Sequence, residues 1–507
     1  MSQWHQFAWS EKLCDDTTLD ATSTSDTFDR KRLMRNLLTS LIVALLLSTV
    51  PKSSESAEQW NVLFIAADDL NCSLGCYGNQ DVSSPNLDRL ASEGTLFENA
   101  YCQQAVCNPS RASLMSGLRP DTISVYDLRA DFRTAQPDAV TIPQRFKNNG
   151  YFTRCIGKMF HNMGNLDDEP SWSVPSMLNA GRHSDTYAKP LKGAKPGKKQ
   201  GAYENEDLPD DAYRDGKIAD LACQQLKEFS HEPFFLAVGF WRPHLPFLAP
   251  KKYWDRYQRD SLTLPDRFAP PSNVPEIALH DSRELRGYGP DPQNISDEER
   301  RLLWHGYYAS ISYLDEQVGK LLKTLEETGL REKTIVVFWS DHGFHLGQHS
   351  VWCKTSCFEL DARVPLLISA PGFPQNARTN SIAELIDLSP TLAELCGLPE
   401  THVEGESLVP VLRDPSASVK RVALTQHPRP AYYKGKPDQM GYSVTDGRLR
   451  YTEWRDWQTG NVTAKELYDH EKDPNEMENL IGSDQYSEAV EQLKNELVQV
   501  APNEAHE

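Results

Sequence analysis

The sequence has no surplus of positive charge. Its 507 residues include 53 Lys and Arg against 72 Asp and Glu, which gives a formal net charge of −19. An acidic protein is not steered as a whole toward a polyanion such as DNA or a sulfated glycan, and we expect no nucleic-acid partner. If the substrate is an anion, its capture has to depend on a local basic pocket.

Internal repeats and the cysteine spacing typical of zinc sites are also missing. Of the ten cysteines, Cys72/Cys76 and Cys353/Cys357 form pairs that are spaced more widely than in a zinc knuckle. We interpret most cysteines as core residues or as members of one or two disulfides. Hydrophobic residues make up 39% of the chain and charged residues 25%, which is typical of a globular protein with room for a large α/β domain and a smaller one.

The apolar segment Leu37–Val50 is short for a membrane span, which needs ~20 residues. It follows Arg30-Lys31-Arg32 and precedes a Ser-rich stretch, an order typical of an export signal. We predict a disordered extension at 1–29, a signal peptide at 30–57 and no stable membrane insertion, with Met34 as a candidate start and a membrane anchor as the alternative. We therefore expect export to the periplasm or medium, or to the lysosome in a eukaryote.

Several apolar runs of strand length lead into polar or charged residues. These runs are Asn61–Ala67, Tyr151–Ile156, Phe234–Phe240, Thr334–Trp339 and Val364–Ser369. Helical patterns separate them, which predicts an α/β fold with a mainly parallel sheet. Ligand sites in such sheets collect at the carboxyl ends of the strands.

The pattern changes toward the C-terminus. A helix is predicted at Ala383–Cys396 and loops at 162–215 and 250–297, whereas shorter strands and a terminal helix follow residue 415. We therefore predict a main domain at 58–415 and a smaller α+β subdomain at 416–507.

Three aspartates follow predicted strands. Asp68 and Asp69 come directly after the first strand, and Asp341 follows the strand at Thr334–Trp339. Clustered carboxylates repel one another unless a cation neutralises them, and oxygen ligands suit Ca²⁺ or Mg²⁺. His342 beside such an ion is less usual, since nitrogen prefers softer metals.

Basic and imidazole side chains also follow strands. Lys158 and His161 lie three residues apart, and Arg242 and His244 flank a proline. An anionic ester needs cations that offset its oxygen charge and an acid that protonates the departing alcohol. Taken singly, each of these residues, and Lys354 as well, is as readily a structural or surface side chain.

The stretch Cys107-Asn108-Pro109-Ser110-Arg111, read onward to Pro120, resembles the signature of the type I sulfatase family. In that family the cysteine is oxidised to formylglycine, whose hydrate carries two hydroxyls on one carbon. One hydroxyl attacks sulfur and the other later drives sulfate out. Pro109 suits the first position of a helix, and amides at a helix N-terminus favour an anion such as sulfate.

The resemblance extends from about Trp60 to Leu480. The matching motifs are Leu74–Gly78, Gln103–Cys107, Arg119–Thr122, Gly157–His161, Phe234–Gly239, Pro243–Phe247 and Ser340–Gly343. It implies an alkaline-phosphatase-like sandwich in which helices flank a large, mainly parallel sheet, with a smaller C-terminal α+β subdomain. It also makes 58–415 the sulfatase catalytic domain.

The resemblance assigns roles residue by residue. It implies Ca²⁺, with Mg²⁺ as the alternative, bound by Asp68, Asp69, modified Cys107, Asp341 and His342. It implies that Arg111, Lys158 and Lys354 hold the sulfate. His161 is implied to assist the aldehyde hydrate, and His244 to protonate the departing sugar oxygen. A formylglycine-generating enzyme is the implied maturation partner, and a sulfated carbohydrate the implied substrate.

Within the family, the chain most resembles members that act on a 2-sulfated uronic acid. We therefore expect hydrolysis of a uronate 2-O-sulfate in a sulfated polysaccharide or glycosaminoglycan. Residues 162–215 and 270–297 match the family poorly and 126–131 only in part, so the glycan specificity is the open point. The alternatives are a phosphomonoesterase or phosphonate monoesterase with the same pocket, and a non-catalytic glycan-binding relative.

Overall fold

The structure, a computed structural model, describes residues 59–161, 166–181, 201–229, 233–265, 267–399, 401–433 and 435–501. The predicted extension at 1–29, the predicted signal peptide at 30–57 and part of the predicted loop at 162–215 lie outside the described residues. In the described part of the chain, no helix combines the length and apolar character that crossing a membrane requires.

The described strands fall into one large sheet, one smaller sheet and two short pairs. In chain order they are β1 (Asn61–Asp68), β2 (Thr95–Tyr101), β3 (Phe152–Gly157), β4 (Tyr203–Glu204), β5 (Phe234–Pro243), β6 (Phe247–Leu248), β7 (Thr334–Ser340), β8 (His345–Leu346), β9 (Trp352–Cys353), β10 (Leu366–Ser369), β11 (Ala377–Glu384), β12 (Ala423–Arg429), β13 (Gln439–Thr445), β14 (Leu449–Asp456) and β15 (Val462–Asp469).

The helices cover the large sheet on both faces. In chain order the described helices are α1 (Pro85–Ser92), α2 (Cys107–Ser116), α3 (Pro120–Ile123), α4 (Phe132–Ala135), α5 (Ile142–Asn148), α6 (Arg214–Glu228), α7 (Lys251–Trp254), α8 (Arg283–Arg286), α9 (Asp297–Glu327), α10 (Glu359–Ala362), α11 (Leu388–Leu395), α12 (Val409–Arg413) and α13 (Ser487–Val500).

The large sheet has seven strands in the order β11-β2-β10-β7-β1-β5-β3. Among its described strands, β10 alone runs antiparallel to its neighbours, and the other pairs are parallel. Strand β1 is buried along its whole length because its alternate side chains pack into different cores. Leu63 and Ile65 belong to one apolar cluster, and Val62 and Phe64 to another. This double coverage explains why the central strands read as continuous apolar runs.

The C-terminal part forms a four-stranded antiparallel sheet in the order β12-β13-β14-β15, against which α13 packs. Leu493 and Leu497 of α13 share an apolar cluster with Tyr442 and Tyr451 of the sheet. The predicted fold class, a mainly parallel α/β sandwich with a smaller α+β subdomain, is therefore confirmed. The exact boundaries at 58–415 and 416–507 stay predictions.

Three local predictions need correction. The predicted helix Ala383–Cys396 begins too early, because 377–384 form β11 beside β2 and only Leu388–Leu395 is α-helical. Strand β2 itself was not predicted. Its middle residues Glu98 and Asn99 are polar and only partly buried, so the apolar run is interrupted.

Helix α2 begins at Cys107, which places Pro109 at its third position and not its first. A proline is tolerated there because the first amides of a helix have no partner within the helix in any case. The nine cysteines among the described residues, Cys107 included, are free thiols. Six of the nine are buried. Of the two predicted roles, most described cysteines therefore take that of core residues, and none of the described cysteines forms a disulfide.

Candidate active site

Four neighbouring strands of the large sheet end at one edge with polar side chains. Adjacent strands β7, β1, β5 and β3 lead to Asp341, to Asp68 and Asp69, to His244 and to Lys158, respectively. Because these strands are parallel, their carboxyl ends lie side by side. The sheet therefore gathers residues that are far apart in sequence, as the parallel pattern predicted.

The three aspartates lie together and are fully buried. Oxygen atoms of Asp68, Asp69 and Asp341 are within 4.8 Å of one another, and the Asp69 amide donates a 3.2 Å hydrogen bond to Asp341 Oδ1. Asp69 has a φ of 65°, in the left-handed region that a non-glycine residue rarely adopts. Tyr307 of α9 holds this turn, since its hydroxyl donates to the Asp69 carbonyl at 2.8 Å.

Each aspartate is matched by a buried cation. Lys158 Nζ donates to both Asp68 oxygens at 2.8 and 2.7 Å, and Lys354 Nζ lies 2.9 Å from both Asp69 oxygens. Burial raises the pKa of Asp69 to about 7 even though Lys354 and His342 act to lower it. The dry surroundings therefore outweigh the neighbouring positive charges for this carboxyl.

Arg111 supports this cluster from α2. Its Nε donates to Asp341 at 2.8 Å, and Nη2 contacts Asp68 at 3.4 Å and the Ala67 carbonyl at 3.0 Å. Nη1 donates to the carbonyls of Lys158 and Met159 at 2.6 and 3.2 Å. These five contacts match the five N–H groups of a guanidinium, so a direct bond to sulfate requires one of them to be released.

Cys107 opens α2 and points at the aspartates. Its Sγ lies 3.3 Å from His342 Nε2, and with Asp69 and His342 it forms a set of possible ligands within 4.8 Å. Burial raises the pKa of the Cys107 thiol well above its usual range, although Lys158 acts to lower it. The unmodified side chain is therefore a thiol and a poor nucleophile.

His342 is oriented for ligation. Its Nδ1 lies 2.9 Å from the Gly343 carbonyl, so Nδ1 carries the hydrogen and the lone pair of Nε2 faces the cluster. Nε2 is 3.4 Å from Asp69 and 3.7 Å from Asp341. A carbonyl that fixes the tautomer in this way is typical of metal-binding histidines.

His244 and His161 border the same buried cluster of charged residues. His244 is held by a hydrogen bond from Nδ1 to the Leu245 carbonyl, and its Nε2 lies 3.7 Å from Asp69. Burial and Lys354 lower the pKa of His244 to about 4, although Glu284 acts in the opposite direction. Burial and Lys158 likewise hold the pKa of His161 well below its usual value. These shifts favour the neutral form of both rings, so His244 has to gain a proton before it can act as an acid.

Glu284 is a member of the site that sequence reasoning missed. It lies on the short helix α8, within the segment 270–297. Its Oε1 is 3.0 Å from Lys354 Nζ and 3.2 Å from His244 Nε2. Burial acts to lower the pKa of Lys354, but Asp69 and Glu284 outweigh it and raise this pKa well above its usual value. No local pattern marks one glutamate in a segment that the sequence predicts as a loop, so only the tertiary structure reveals it.

The donor set fits a hard divalent cation. Three carboxylates that share a small buried space offer the oxygen ligands that such an ion prefers. Without a cation, the three aspartates are balanced by Lys158, Lys354 and Arg111. A divalent ion adds two positive charges, and Glu284 reduces the sum to one. The complete site then carries a charge opposite to that of a singly charged anion.

All ten residues named from the sequence, together with Glu284, line one buried region. Asp68, Asp69, Cys107, Asp341 and His342 all belong to groups of atoms that could hold a metal ion, and so do His244 and Glu284. Lys158, Lys354 and Arg111 are bound to its carboxylates. His244 lies within 4.8 Å of Asp68 and Cys107, and His161 is buried near Lys158. The predicted grouping is therefore present, while the individual chemical roles stay predictions.

Comparisons with known proteins agree with this arrangement. The chain matches the family model described as Sulfatase over residues 60–398. It also matches the model described as N-sulphoglucosamine sulphohydrolase, C-terminal, over residues 347–503. Among curated proteins, iduronate 2-sulfatase of Mus musculus is 34% identical, and the match covers 90% of this chain and 97% of that protein.

Two solved structures share the fold. A phosphonate monoester hydrolase of Agrobacterium radiobacter superposes with a TM-score of 0.73 at 23% identity, over 87% of this chain and 95% of that chain. A protein described as a 2-O GAG sulfatase superposes with a TM-score of 0.67 at 24% identity, over 87% of this chain and 92% of that chain. At these identities the matches speak for the fold alone.

Proposed function

The chain belongs to the sulfatase family and is a sulfuric ester hydrolase, and from that premise we propose that it removes the 2-O-sulfate of a uronic acid residue in a sulfated polysaccharide or glycosaminoglycan. The observation that carries the proposal is the position of Cys107. Its Sγ lies 3.3 Å from His342 and beside buried aspartates that are themselves bound to two lysines and an arginine.

The substrate class is supported by the curated relatives. The mouse protein named iduronate 2-sulfatase matches over nearly its full length, and so does the human protein of that name. Likeness at this level supports shared chemistry more strongly than a shared sugar, because the loops at 162–215 and 270–297 match the family poorly. The uronate is therefore the part of the proposal that the assay below addresses.

The proposed cofactors are Ca²⁺ and a formylglycine made from Cys107. Asp68, Asp69, Asp341, His342 and the modified residue 107 would hold the ion. The ion supplies charge stabilisation for the sulfate oxygens, and the aldehyde hydrate supplies the nucleophile. Mg²⁺ is the alternative ion, because its ligand chemistry is the same apart from size.

We assign separate roles in charge stabilisation and proton transfer to the residues of the site. Lys158 and Lys354 offset the charge that develops on the sulfuryl oxygens, and Arg111 fixes the carboxylates. His161 accepts a proton from the nucleophile. His244, which favours the neutral form in the free site, gains a proton when the substrate binds and donates it to the departing sugar oxygen. The buried setting strengthens each of these interactions because little water screens them.

The test compares two sulfated disaccharides that differ in the sugar and the position that carry the sulfate. The purified, matured protein is assayed on a disaccharide with a 2-sulfated uronate and on one with a 6-sulfated hexosamine. We expect the uronide to be desulfated with the higher kcat/KM. Faster turnover of the hexosamine refutes the uronate specificity, and no release of sulfate from any sulfated sugar refutes the proposal as a whole.

Maturation is tested on the same sample. Conversion of Cys107 to formylglycine by a generating enzyme lowers the mass of the peptide that contains residue 107 by about 18 Da, whereas thiol oxidation adds oxygen instead. An active preparation in which this peptide carries only unmodified cysteine excludes the formylglycine mechanism.

A second candidate function is hydrolysis of phosphonate or phosphate monoesters. The fold match to a phosphonate monoester hydrolase is the observation that favours it. The sulfate ester is the better match to the site because it carries one negative charge, whereas a phosphate monoester carries two and an extra buried charge is costly. Rates of hydrolysis of a sulfate ester and a phosphate ester of the same aryl alcohol distinguish the two functions.

A non-catalytic relative is disfavoured because Cys107 and the aspartates are all present.

We also propose that the protein is exported with removal of residues 1–57. The basic start, short apolar segment and following small residues of 30–57 support a cleaved signal. N-terminal sequencing of the exported protein checks this, and a sequence that begins near residue 1 contradicts it.

A further inference from the structure

We propose that Glu284 is a specificity-determining residue that sets the charge of the site to suit a singly charged sulfate ester and to disfavour a doubly charged phosphate ester. The inference deepens the proposed sulfate-ester hydrolysis and rests on it. It concerns the group that is transferred and not the sugar, so it holds for any leaving group.

Glu284 contacts two groups that face the reacting centre. Its Oε1 lies 3.0 Å from Lys354 Nζ and 3.2 Å from His244 Nε2. Lys354 in turn binds Asp69, and a His244 ring nitrogen lies within 4.8 Å of Cys107 Sγ. One side chain therefore separates the Glu284 carboxylate from the position where the ester is attacked.

The side chain is placed to act through charge. Only 12% of the Glu284 side chain is exposed, so water weakly screens the interaction of its charge with the neighbouring residues of the site. Tyr288, four residues further along the chain, anchors the segment because its hydroxyl donates to the Leu245 carbonyl at 3.0 Å. The segment that carries Glu284 is thus tied to the loop that carries His244.

The number of charges in the site predicts how Glu284 changes the preference between sulfate and phosphate esters. With all three aspartates ionised, they cancel the three cations, and a divalent ion would raise the sum to two positive charges. With Glu284 the sum is one, which matches the single charge of a sulfate monoester. Without Glu284 the sum is two, which matches a phosphate monoester dianion. Specificity of this kind comes from repulsion of the wrong ligand as much as from attraction of the right one.

The experiment compares 4-nitrophenyl sulfate with 4-nitrophenyl phosphate, which share a leaving group. Both are assayed near pH 8, where the phosphate ester is a dianion. We expect Glu284→Gln to raise the ratio of phosphate to sulfate kcat/KM by about tenfold or more, the scale of one unscreened charge interaction at this range. Glu284→Asp keeps the charge and should leave the ratio within about threefold.

The matched control lies on the same segment. Asp281 is exposed and pairs with Arg286 at the surface, so Asp281→Asn removes a charge three residues away without touching the site. Its ratio should equal that of the wild type. If Glu284→Gln fails to fold, Glu284→Ala serves as a second uncharged variant with the same expected ratio.

Two further measurements distinguish an effect of the Glu284 charge from a role of Glu284 as a metal ligand or as a structural residue. The metal content of Glu284→Gln should equal that of the wild type, and a loss of metal overturns the proposal because Glu284 is then a ligand. In a Cys107→Ala background, which cannot turn over, the Kd values of the two esters should shift in the same direction as the kinetic ratio. These Kd values test the role of Glu284 even if the wild type does not hydrolyse aryl esters.

The possible failures are distinguishable. A wild-type enzyme that desulfates no sulfated sugar refutes the proposed function. A wild-type enzyme that does so, with Glu284→Gln showing an unchanged ratio in both kinetics and binding, refutes the role of Glu284 alone. An equal drop on both esters assigns Glu284 a merely structural role and also overturns the proposal.

Discussion

At the scale of single residues, the site is built from charges that are buried in pairs. Lys158 with Asp68 and Arg111 with Asp341 are fully buried on both sides. Removal of one partner leaves an uncompensated buried charge, which commonly costs about 3–5 kcal/mol. Variants of these residues therefore need a stability measurement beside every activity measurement, whereas His244 is neutral and can be removed with less structural damage.

His244 provides the first residue-scale prediction. A sugar alcohol is a poor leaving group that needs a proton, whereas nitrophenolate leaves without one. We expect His244→Ala to lose ~10²-fold or more in kcat on a sulfated sugar, the usual scale for a positioned acid, and clearly less on an activated aryl sulfate. Steady-state kinetics on both substrates measure the difference.

The comparison variant for this prediction is Lys158→Ala. Both substrates present the same sulfuryl group to Lys158, so the two losses should be similar. Equal losses on both leaving groups for His244→Ala would show that His244 binds sulfate and does not act as the acid.

At the scale of elements, the segment from β8 to α10 is fixed by a chain of buried polar groups. Asp361 accepts hydrogen bonds from His345 Nδ1 at 2.6 Å and from the Ser356 hydroxyl at 2.6 Å. His345 Nε2 contacts His349, whose Nε2 bonds to the Asn475 carbonyl at 2.7 Å. Residues of this network precede and follow Lys354 in the sequence, and the hydrogen bond to Asn475 connects the loop of Lys354 to the C-terminal part of the chain.

The network yields an element-scale prediction. Asp361→Ala leaves His345 and Ser356 without their buried acceptor, so we expect unfolding to become easier by about 3 kcal/mol or more. We also expect reduced activity, because the loop of Lys354 loses its support. Denaturant unfolding and kcat/KM measure the two effects. The exposed Asp260→Asn is the control, and an Asp361→Ala protein with wild-type stability would contradict the prediction.

The C-terminal sheet carries a buried carboxyl with a pH-dependent effect. Burial raises the pKa of Glu466 on β15 to about 7, although hydrogen bonds from Trp454 and Tyr468 act to lower it. The folded state therefore binds a proton that the unfolded state releases near pH 4.5. The stability that this proton contributes is present below pH 4.5 and is lost as pH rises to about 7.

The matching prediction concerns Glu466→Gln, which removes this titration. Relative to the wild type, the variant should gain about 3 kcal/mol of unfolding free energy between pH 4.5 and 7, at roughly 1.4 kcal/mol per pKa unit. Urea unfolding of both proteins across this range measures the change. A difference in stability that does not vary with pH would show that the carboxyl titrates normally.

Elements and residues differ in how well the sequence predicted them. The central strands and the aspartates after them were predictable because burial on both faces produces an uninterrupted apolar run. The first half of strand β11 contains Arg378 and Asn380, which are exposed at the sheet edge, so no apolar run marks the strand in the sequence. Glu284 could not be found because its partners, Lys354 and His244, lie 70 and 40 residues away along the chain.

At the scale of the whole molecule, a protein of net charge −19 buries three cations in the proposed sulfate-binding site. Long-range attraction does not bring a sulfated polymer to this surface. Lys158 and Lys354 are nearly inaccessible to solvent, so their charge acts within the buried site and not at a distance. The aspartates that hold them in place are also the candidate metal ligands, which links metal binding to the stability of the whole fold.

That link gives a prediction about metal removal. Since Lys158, Lys354 and Arg111 already balance the three aspartates, the metal-free protein should stay folded, with an unchanged circular dichroism spectrum and strongly reduced activity. Ca²⁺ at a hundredfold excess over its Kd should stabilise the fold by about 2.7 kcal/mol and raise the melting temperature. Asp341→Asn weakens the ligand set and should remove most of this response. Unfolding on addition of a chelator would show instead that the ion, and not the buried cations, compensates the carboxylates.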